Sequence, residues 1–405
     1  MRLRLDKTTV SLFTVLLFLI VNFNTELNQI SVLHTGSIAL CFVVLLWQFM
    51  PTAKLHQYHI WRVIYILWAV LSYFLQSSQL GVGRNYMLDI ILQSLVLFLV
   101  CILVYQGYFK ELVTVYVCAT FFTVAYVMIE AGSSQFFTQQ LGSLILGNSR
   151  WNGNEIGVWA STAFVLILIR NKIDSAGFLG RKSVKWIMLV VLAVATVWTG
   201  SRTGLLLFVM GVAGYFILTG ETQSTKARNV LIVILGLFLL YYILMNNPTL
   251  YSLIGVRMER LFSFIQTKEI TEISMDRRNS MIHYAWQLFK EHPLFGVGIN
   301  GFNAYYGASS GFYTYSHNNF VELLSDGGIV GFVIYYSIYI KAFLCHKTST
   351  VEYKKLLLMF LFIIVLIDYS TISYMSLKIQ YLVCILASQM LYTSEYSRAE
   401  VVYGE

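Results

Sequence analysis

The chain has 405 residues, of which 57% are apolar, 16% aromatic and only 12% charged, with three prolines and a formal net charge of +8. A soluble globular chain carries roughly a quarter charged residues, so this composition excludes a water-soluble fold, and its apolar runs are too long for half-buried strands. The basic excess is no nucleic-acid surface, because the lysines and arginines stand in short connections and form no continuous basic and aromatic face.

Measured against the length needed to cross a hydrocarbon core, the apolar runs predict an all-α polytopic membrane protein with about twelve spans. In chain order the first five are 8–23, 29–50, 60–76, 86–105 and 108–130. The first follows Arg2, Arg4 and Lys7 as a signal peptide would, yet no small-residue cleavage site follows in 24–28, so it is expected to stay as a helix. A loop at 131–154 mixes Phe136, Phe137, Leu141, Leu144 and Ile145 with glycines and amides, which suits a re-entrant or interfacial piece. Spans 155–170, 184–200, 203–219 and 229–246 follow, and after a long segment the chain ends with 318–345, 355–370 and 375–393. The expected organisation is nine helices within 1–246, a loop over 247–317 and three helices within 318–405.

Basic residues orient these spans. With the N-terminus inside, inner segments hold Lys54, Arg62, Lys110, Arg170, Lys172, Arg181, Lys182 and Lys185 among others, whereas short outer turns hold only Arg84, Arg150, Arg202 and Lys378. Both termini are then cytoplasmic and the 247–317 loop lies outside. The five cysteines sit in or beside apolar runs without metal or redox spacing, so no disulfide framework is expected.

The long loop contains Met281, Ile282, Ala285, Leu288 and Phe289 at helical spacing, which predicts an amphipathic helix with its apolar face against the membrane domain. Arg277 and Arg278 begin it, after Ser274 and Asp276 as expected N-caps. Arginines in a loop are commonly just solvated, but Arg278 falls three and four residues before Met281 and Ile282 and should project inward, where a helix N-terminus favours phosphate. Arg202, within Thr199-Gly200-Ser201-Arg202-Thr203-Gly204, either snorkels to the interface or binds an anion beside glycine and hydroxyl groups. His317 stands where the loop re-enters the membrane, and Glu322 and Asp326 follow at i, i+4 on one helix face. Intramembrane carboxylates are functional candidates, and a histidine above them has a partner to set its tautomer and basicity for general-base work. No Asp-x-Asp pair or His-Glu-x-x-His helix occurs, so neither metal nor cofactor is expected.

Three motifs in this order resemble the O-antigen ligase and Wzy-type polysaccharide polymerase family. They are Thr199–Gly204, then Arg278 leading through Ala285 and Phe289 to His292-Pro293-Leu294-Phe295-Gly296-Val297-Gly298, then His317-Asn318-Asn319-Phe320-Val321-Glu322-Leu323-Leu324 with Gly328 and Gly331. The likeness spans roughly 185–345, and it departs at Ile282, where the family often has tryptophan. The resemblance implies a GT-C-like glycosyltransferase in the bacterial cytoplasmic membrane, acting on its outer side. It further implies donor and acceptor oligosaccharides carried on undecaprenyl diphosphate, and flippase and chain-length regulator proteins as partners. His317 would be the base and Arg202 and Arg278 would hold the diphosphate, with Arg277, Arg84, Arg150, Asn318, Glu322 and Asp326 as further substrate contacts. Arginine supplies the charge that a departing diphosphate needs without a cation. Polymerisation of lipid-linked repeats is the preferred activity. Ligation of a finished chain and transport of a lipid-linked sugar are the alternatives.

Overall fold

The computed structural model describes residues 6–49, 54–132, 141, 145–146, 149–256, 259, 273–345 and 353–403. Each expected apolar run is occupied by a helix: α1 (Lys7–Phe23), α2 (Ser31–Phe49), α3 (Gln57–Leu75), α4 (Arg84–Tyr105), α5 (Phe109–Ala131), α6 (Gly153–Ile173), α7 (Lys182–Trp198), α8 (Arg202–Leu218) and α9 (Gln223–Asn246) come first. In the long loop lie α10 (Ile273–Glu291) and α11 (Gly301–Ser310), followed by α12 (Asn319–Cys345), α13 (Lys354–Ile367) and α14 (Leu377–Tyr403). Seven of these, α2 to α6, α9 and α12, are long and apolar enough to cross a membrane, whereas α1 and α8 are apolar but shorter. The fold is that of a polytopic all-α membrane protein. Of the piece expected at 131–154, Phe136, Phe137 and Leu144 lie outside the described residues, and the described part includes a two-residue antiparallel pairing of β1 (Ile145–Leu146) with β2 (Ser149–Arg150).

The chain gathers into two compact units, one formed by residues 1–11, 38–109 and 272–405, the other by 12–37 and 110–271. In the first, α3 packs on α4, α12 and α14, and α14 packs also on α4 and α12. Aromatic side chains on α3 supply much of the contact: Trp61 stacks on Tyr65 and donates its indole N–H to the Ile334 carbonyl at 2.7 Å, and Tyr65 stacks on Trp68. Arg62 corrects the loop count used for orientation. It lies inside α3, fully buried, bonding the Ser94 hydroxyl at 2.8 Å, the Gln380 amide oxygen at 2.9 Å and the Ile90 carbonyl at 3.3 Å. A guanidinium inside a span needs such internal partners, so it carries no topological information.

The second unit is organised by α6, which packs on α7 and α8. At its crossing with α8 a Cβ on Gly204 would meet the Gly157 backbone at 2.6 Å, so small residues let the two helices approach closely. Ser161 reinforces the crossing by donating to the Gly204 carbonyl at 2.7 Å. Helix α9 exposes nearly all its apolar length, as a helix facing lipid on most sides would.

Candidate functional site

The loop helix α10 forms as its spacing predicts and buries Met281, Ala285 and Leu288 in a cluster with Val297 and Phe302, with Tyr284, Tyr305, Tyr306 and Val321 packed around it. Its apolar face is thus covered by α11 and the start of α12 as well as by the connection between them. Ser274 and Asp276 are both helical within Ile273–Glu291, and so are not the expected N-cap. Asp276, near the N-terminal end of the described helix, complements the helix dipole.

The connection His292–Gly298 explains its own glycines. Helix α12 is broken at Gly328, whose φ of 59° and ψ of −165° belong to a region only glycine populates readily. The break leaves backbone groups without helical partners in the middle of a spanning segment, where each unpaired one costs several kcal/mol. The connection satisfies them. Val297 and Gly298 donate to the carbonyls of Ser325 and Asp326 at 2.8 Å, while Ile329 and Val330 donate to the carbonyls of Pro293 and Leu294 at 2.9 and 3.2 Å. A Cβ on Gly296 would lie 2.4 Å from the Asp326 carbonyl carbon, so this strand of backbone fits only without a side chain there.

His317 sits immediately before α12, half-buried, with a left-handed φ of 58°. That conformation costs a non-glycine residue about 1–2 kcal/mol, and its neighbours hold it in place. The Ser316 N–H donates to the Glu322 carboxylate, the Ser316 hydroxyl donates to the Asn318 carbonyl at 2.9 Å, and the Asn318 side chain accepts from Phe320 and Val321 at 3.0 and 3.2 Å, capping α12. The imidazole lies against the Tyr315 ring, with centroids 4.1 Å apart. Burial, and secondarily the charge of Arg278, press its pKa down to about 4, so the ring is neutral at pH 7. Arg278 is half-buried and Arg277 exposed on the first turns of α10, and Arg84 is exposed at the first position of α4.

The expectation that Glu322 and Asp326 set the tautomer of His317 is corrected. Glu322 holds the backbone before the histidine, as above. Asp326 is fully buried and accepts from the Asn300 and Phe302 N–H groups at 3.0 and 2.7 Å and from the Tyr374 hydroxyl at 2.6 Å, so it caps α11 from a distance. Both carboxylates satisfy backbone donors that a broken helix and a sharp turn would otherwise leave bare. Asn319, next to the capping Asn318, clamps the turn after α13 by accepting from Ser373 and Tyr374 at 2.9 and 3.0 Å and donating to the Tyr336 hydroxyl at 3.0 Å.

Arg202 belongs to the second unit, where it opens α8 half-buried. The hydroxyls beside it serve the fold: Ser201 caps the helix by accepting from the Gly204 N–H at 3.0 Å, and Thr199 donates to the Thr196 carbonyl at 2.8 Å. Arg150 stands in β2, and its side chain is outside the described residues.

Sequence reasoning missed polar groups inside spans. Asp89 is exposed on α4, and Asp368, fully buried at the end of α13, accepts from the Tyr336 hydroxyl at 2.7 Å. Their signal was a carboxylate within or beside an apolar run, and for Asp89 also its place four residues from both Asn85 and Gln93.

These elements define a polytopic α-helical membrane protein in which a re-entering loop, a broken spanning helix and a strained histidine meet. Residues 187–336 match the family model Wzy_C, described as O-Antigen ligase, and this stretch takes in the motifs of Arg202, Arg278 and His317. The match supports a glycosyltransferase-like membrane enzyme of the O-antigen ligase and polymerase type. No curated protein compared with the chain matches it.

Proposed function

We propose that the protein polymerises polyprenyl-diphosphate-linked oligosaccharide repeats into a bacterial surface polysaccharide, working without metal at the outer face of the cytoplasmic membrane. The observation that carries this reading is the neutral imidazole of His317, set on a left-handed backbone and within the field of Arg278. In the step envisaged, an acceptor hydroxyl oxygen attacks the anomeric carbon of the donor as its proton passes to a ring nitrogen of His317. The bond from that carbon to the phosphate oxygen breaks, and the polyprenyl diphosphate leaves with the electron pair. Arg278 would stabilise the diphosphate as it departs, and Arg202 is assigned the same task on its motif. Arg277, Arg84 and Arg150 are assigned weaker phosphate contacts, and Asn318, Glu322 and Asp326 act in this reading by shaping the ground on which substrate rests. The approach of an anion to Arg278 offsets the smaller of the two influences that depress His317, burial being the larger, so part of its basicity returns when donor binds. A flippase and a chain-length regulator are the expected protein partners.

The family description favours a second reading, transfer of a finished glycan to a different acceptor. Deleting the gene and sizing the surface polysaccharide separates the two. Single repeats on the acceptor support polymerisation, whereas long chains accumulating on the lipid carrier support ligation.

A further inference from the structure

The end of the second unit where α6 stops and α7 starts is strongly basic. Residues 170–185 and 219–228 carry seven basic side chains against two acidic ones. Both acids are engaged, Asp174 with Lys110 at 3.4 Å and Glu221 with Lys172 at 3.6 Å, and the second pair fixes the α8–α9 connection beside the end of α6. Arg181, Lys182, Lys226 and Arg228 are exposed, and none has a carboxylate partner among the described residues. Topology alone asks for such charges on the side expected to be cytoplasmic, so the excess by itself calls for no ligand.

What surrounds the cations goes further. Arg170, buried in the last turn of α6, donates to the Asp174 and Ala176 carbonyls and so pins the connection. A tight turn of 3-10 helix follows at Phe178–Gly180, with Leu179 fully buried and Phe178 51% exposed, so an anchored turn holds a phenyl ring outward. Beyond it Lys182, Trp186 and Val190 recur every four residues on one side of α7, flanked by Lys185 and Ile187. Trp186 is 61% exposed, Ile187 and Val190 are exposed as well, and the Lys185 Nζ lies 5.7 Å from the centre of the Trp186 ring. From Lys182 to Val190 the axis runs roughly 12 Å at 1.5 Å per residue. The surface thus passes from cations through an indole to a bare aliphatic stripe, over the length of a headgroup and the upper part of an acyl chain. Tryptophan suits that boundary, with an apolar body for hydrocarbon and an N–H for the headgroup level. A soluble anion or an acidic protein would use the cations and leave the stripe uncovered.

We propose that Phe178, Arg181, Lys182, Lys185 and Trp186 form a binding site for an anionic phospholipid, with its phosphate on the three cations and one acyl chain along Trp186, Ile187 and Val190. Lys226 and Arg228 add to the attraction from the neighbouring connection. The site is independent of the transferase reading.

The test uses the full chain in a nonionic detergent, titrated with phosphatidylglycerol or phosphatidylcholine, with inorganic phosphate as a competitor and bound lipid counted by native mass spectrometry. A basic residue beside an anionic headgroup is worth about fivefold in affinity, so the triple variant Arg181→Gln, Lys182→Gln, Lys185→Gln should bind phosphatidylglycerol about 100-fold more weakly than wild type. The charge-preserving triple Arg181→Lys, Lys182→Arg, Lys185→Arg should bind as wild type does, and Trp186→Ala should bind more weakly, all compared at matched thermal stability. Wild type should retain phosphatidylglycerol in preference to phosphatidylcholine. Equal retention of the two lipids by wild type, or equal affinity for phosphatidylglycerol in wild type and the Gln triple, overturns the site. Displacement of phosphatidylglycerol by equimolar inorganic phosphate, with binding unchanged in Trp186→Ala, overturns the lipid assignment in favour of a soluble anion.

Discussion

His317 is held by its neighbours in a backbone conformation that a side chain resists, which keeps its ring in one place at the cost of local strain. If it is the general base, His317→Ala should lower turnover by roughly 100- to 10,000-fold with little loss of donor binding. His317→Gln keeps a polar partner but no base, so a Gln variant with near wild-type turnover would reduce the histidine to a structural role. The pH profile follows from the same residue. Protonation removes the base, and the folded pKa of about 4 lies below the ordinary value, so kcat/KM should hold steady on acidification until pH approaches about 4. In the donor complex the anion offsets Arg278, and the acid limb of kcat should therefore lie at higher pH than that of kcat/KM. Coincident limbs would mean that Arg278 does not meet the diphosphate. For the arginines, replacement of either Arg202 or Arg278 by Lys should cost on the order of 100-fold in turnover, because a point charge cannot reproduce a planar, two-pronged donor. Two fully active Lys variants would remove both from the chemistry.

At the scale of elements, the break in α12 and the connection His292–Gly298 form one object. Gly328 has a Cβ position 2.4 Å from the Leu294 carbonyl carbon in addition to its glycine-only dihedrals. Gly328→Ala should therefore lower the thermal midpoint sharply and disable the protein even though no reacting group is changed, and a variant with wild-type stability would show that the break is not maintained. Helix α10 is anchored differently, through apolar contacts on the loop side. Leu288, 4% exposed in the Met281–Phe302 cluster, should cost about 2–5 kcal/mol on truncation to Ala. Its loss should loosen α10 and so weaken donor affinity through Arg278. The apolar spacing that predicts α10 was legible because an amphipathic period survives any tertiary context. The break at Gly328 was not, since a glycine in an apolar run signals equally a close helix approach, such as the one Gly331 makes with Trp68 at 2.7 Å from its Cβ position.

For the whole molecule, the basic-residue asymmetry predicts a long loop outside and the α8–α9 connection inside. Cysteines placed at Gln287 in α10 and at Thr222 before α9, both exposed positions, should differ on intact cells treated with an impermeant thiol reagent, with labelling at 287 only. Labelling at 222 alone would invert the topology. What the sequence by itself determined is the class of protein, the apolar runs that helices fill and the order of the motifs, because apolar runs of spanning length have one energetically acceptable environment and one acceptable backbone form. The motifs that carry Arg202, Arg278 and His317 were also readable, since the chemical type of a side chain belongs to the sequence. Only the tertiary structure decided what each polar group meets: that Glu322 and Asp326 spend themselves on backbone donors, that Asn318 caps a helix, that Arg62 is buried, and that Asp89 shares a polar face with Asn85 and Gln93. The reason is physical. A hydrogen bond inside a membrane protein depends on which backbone groups a break or a turn leaves unpaired, and those groups exist only once distant segments have been brought together.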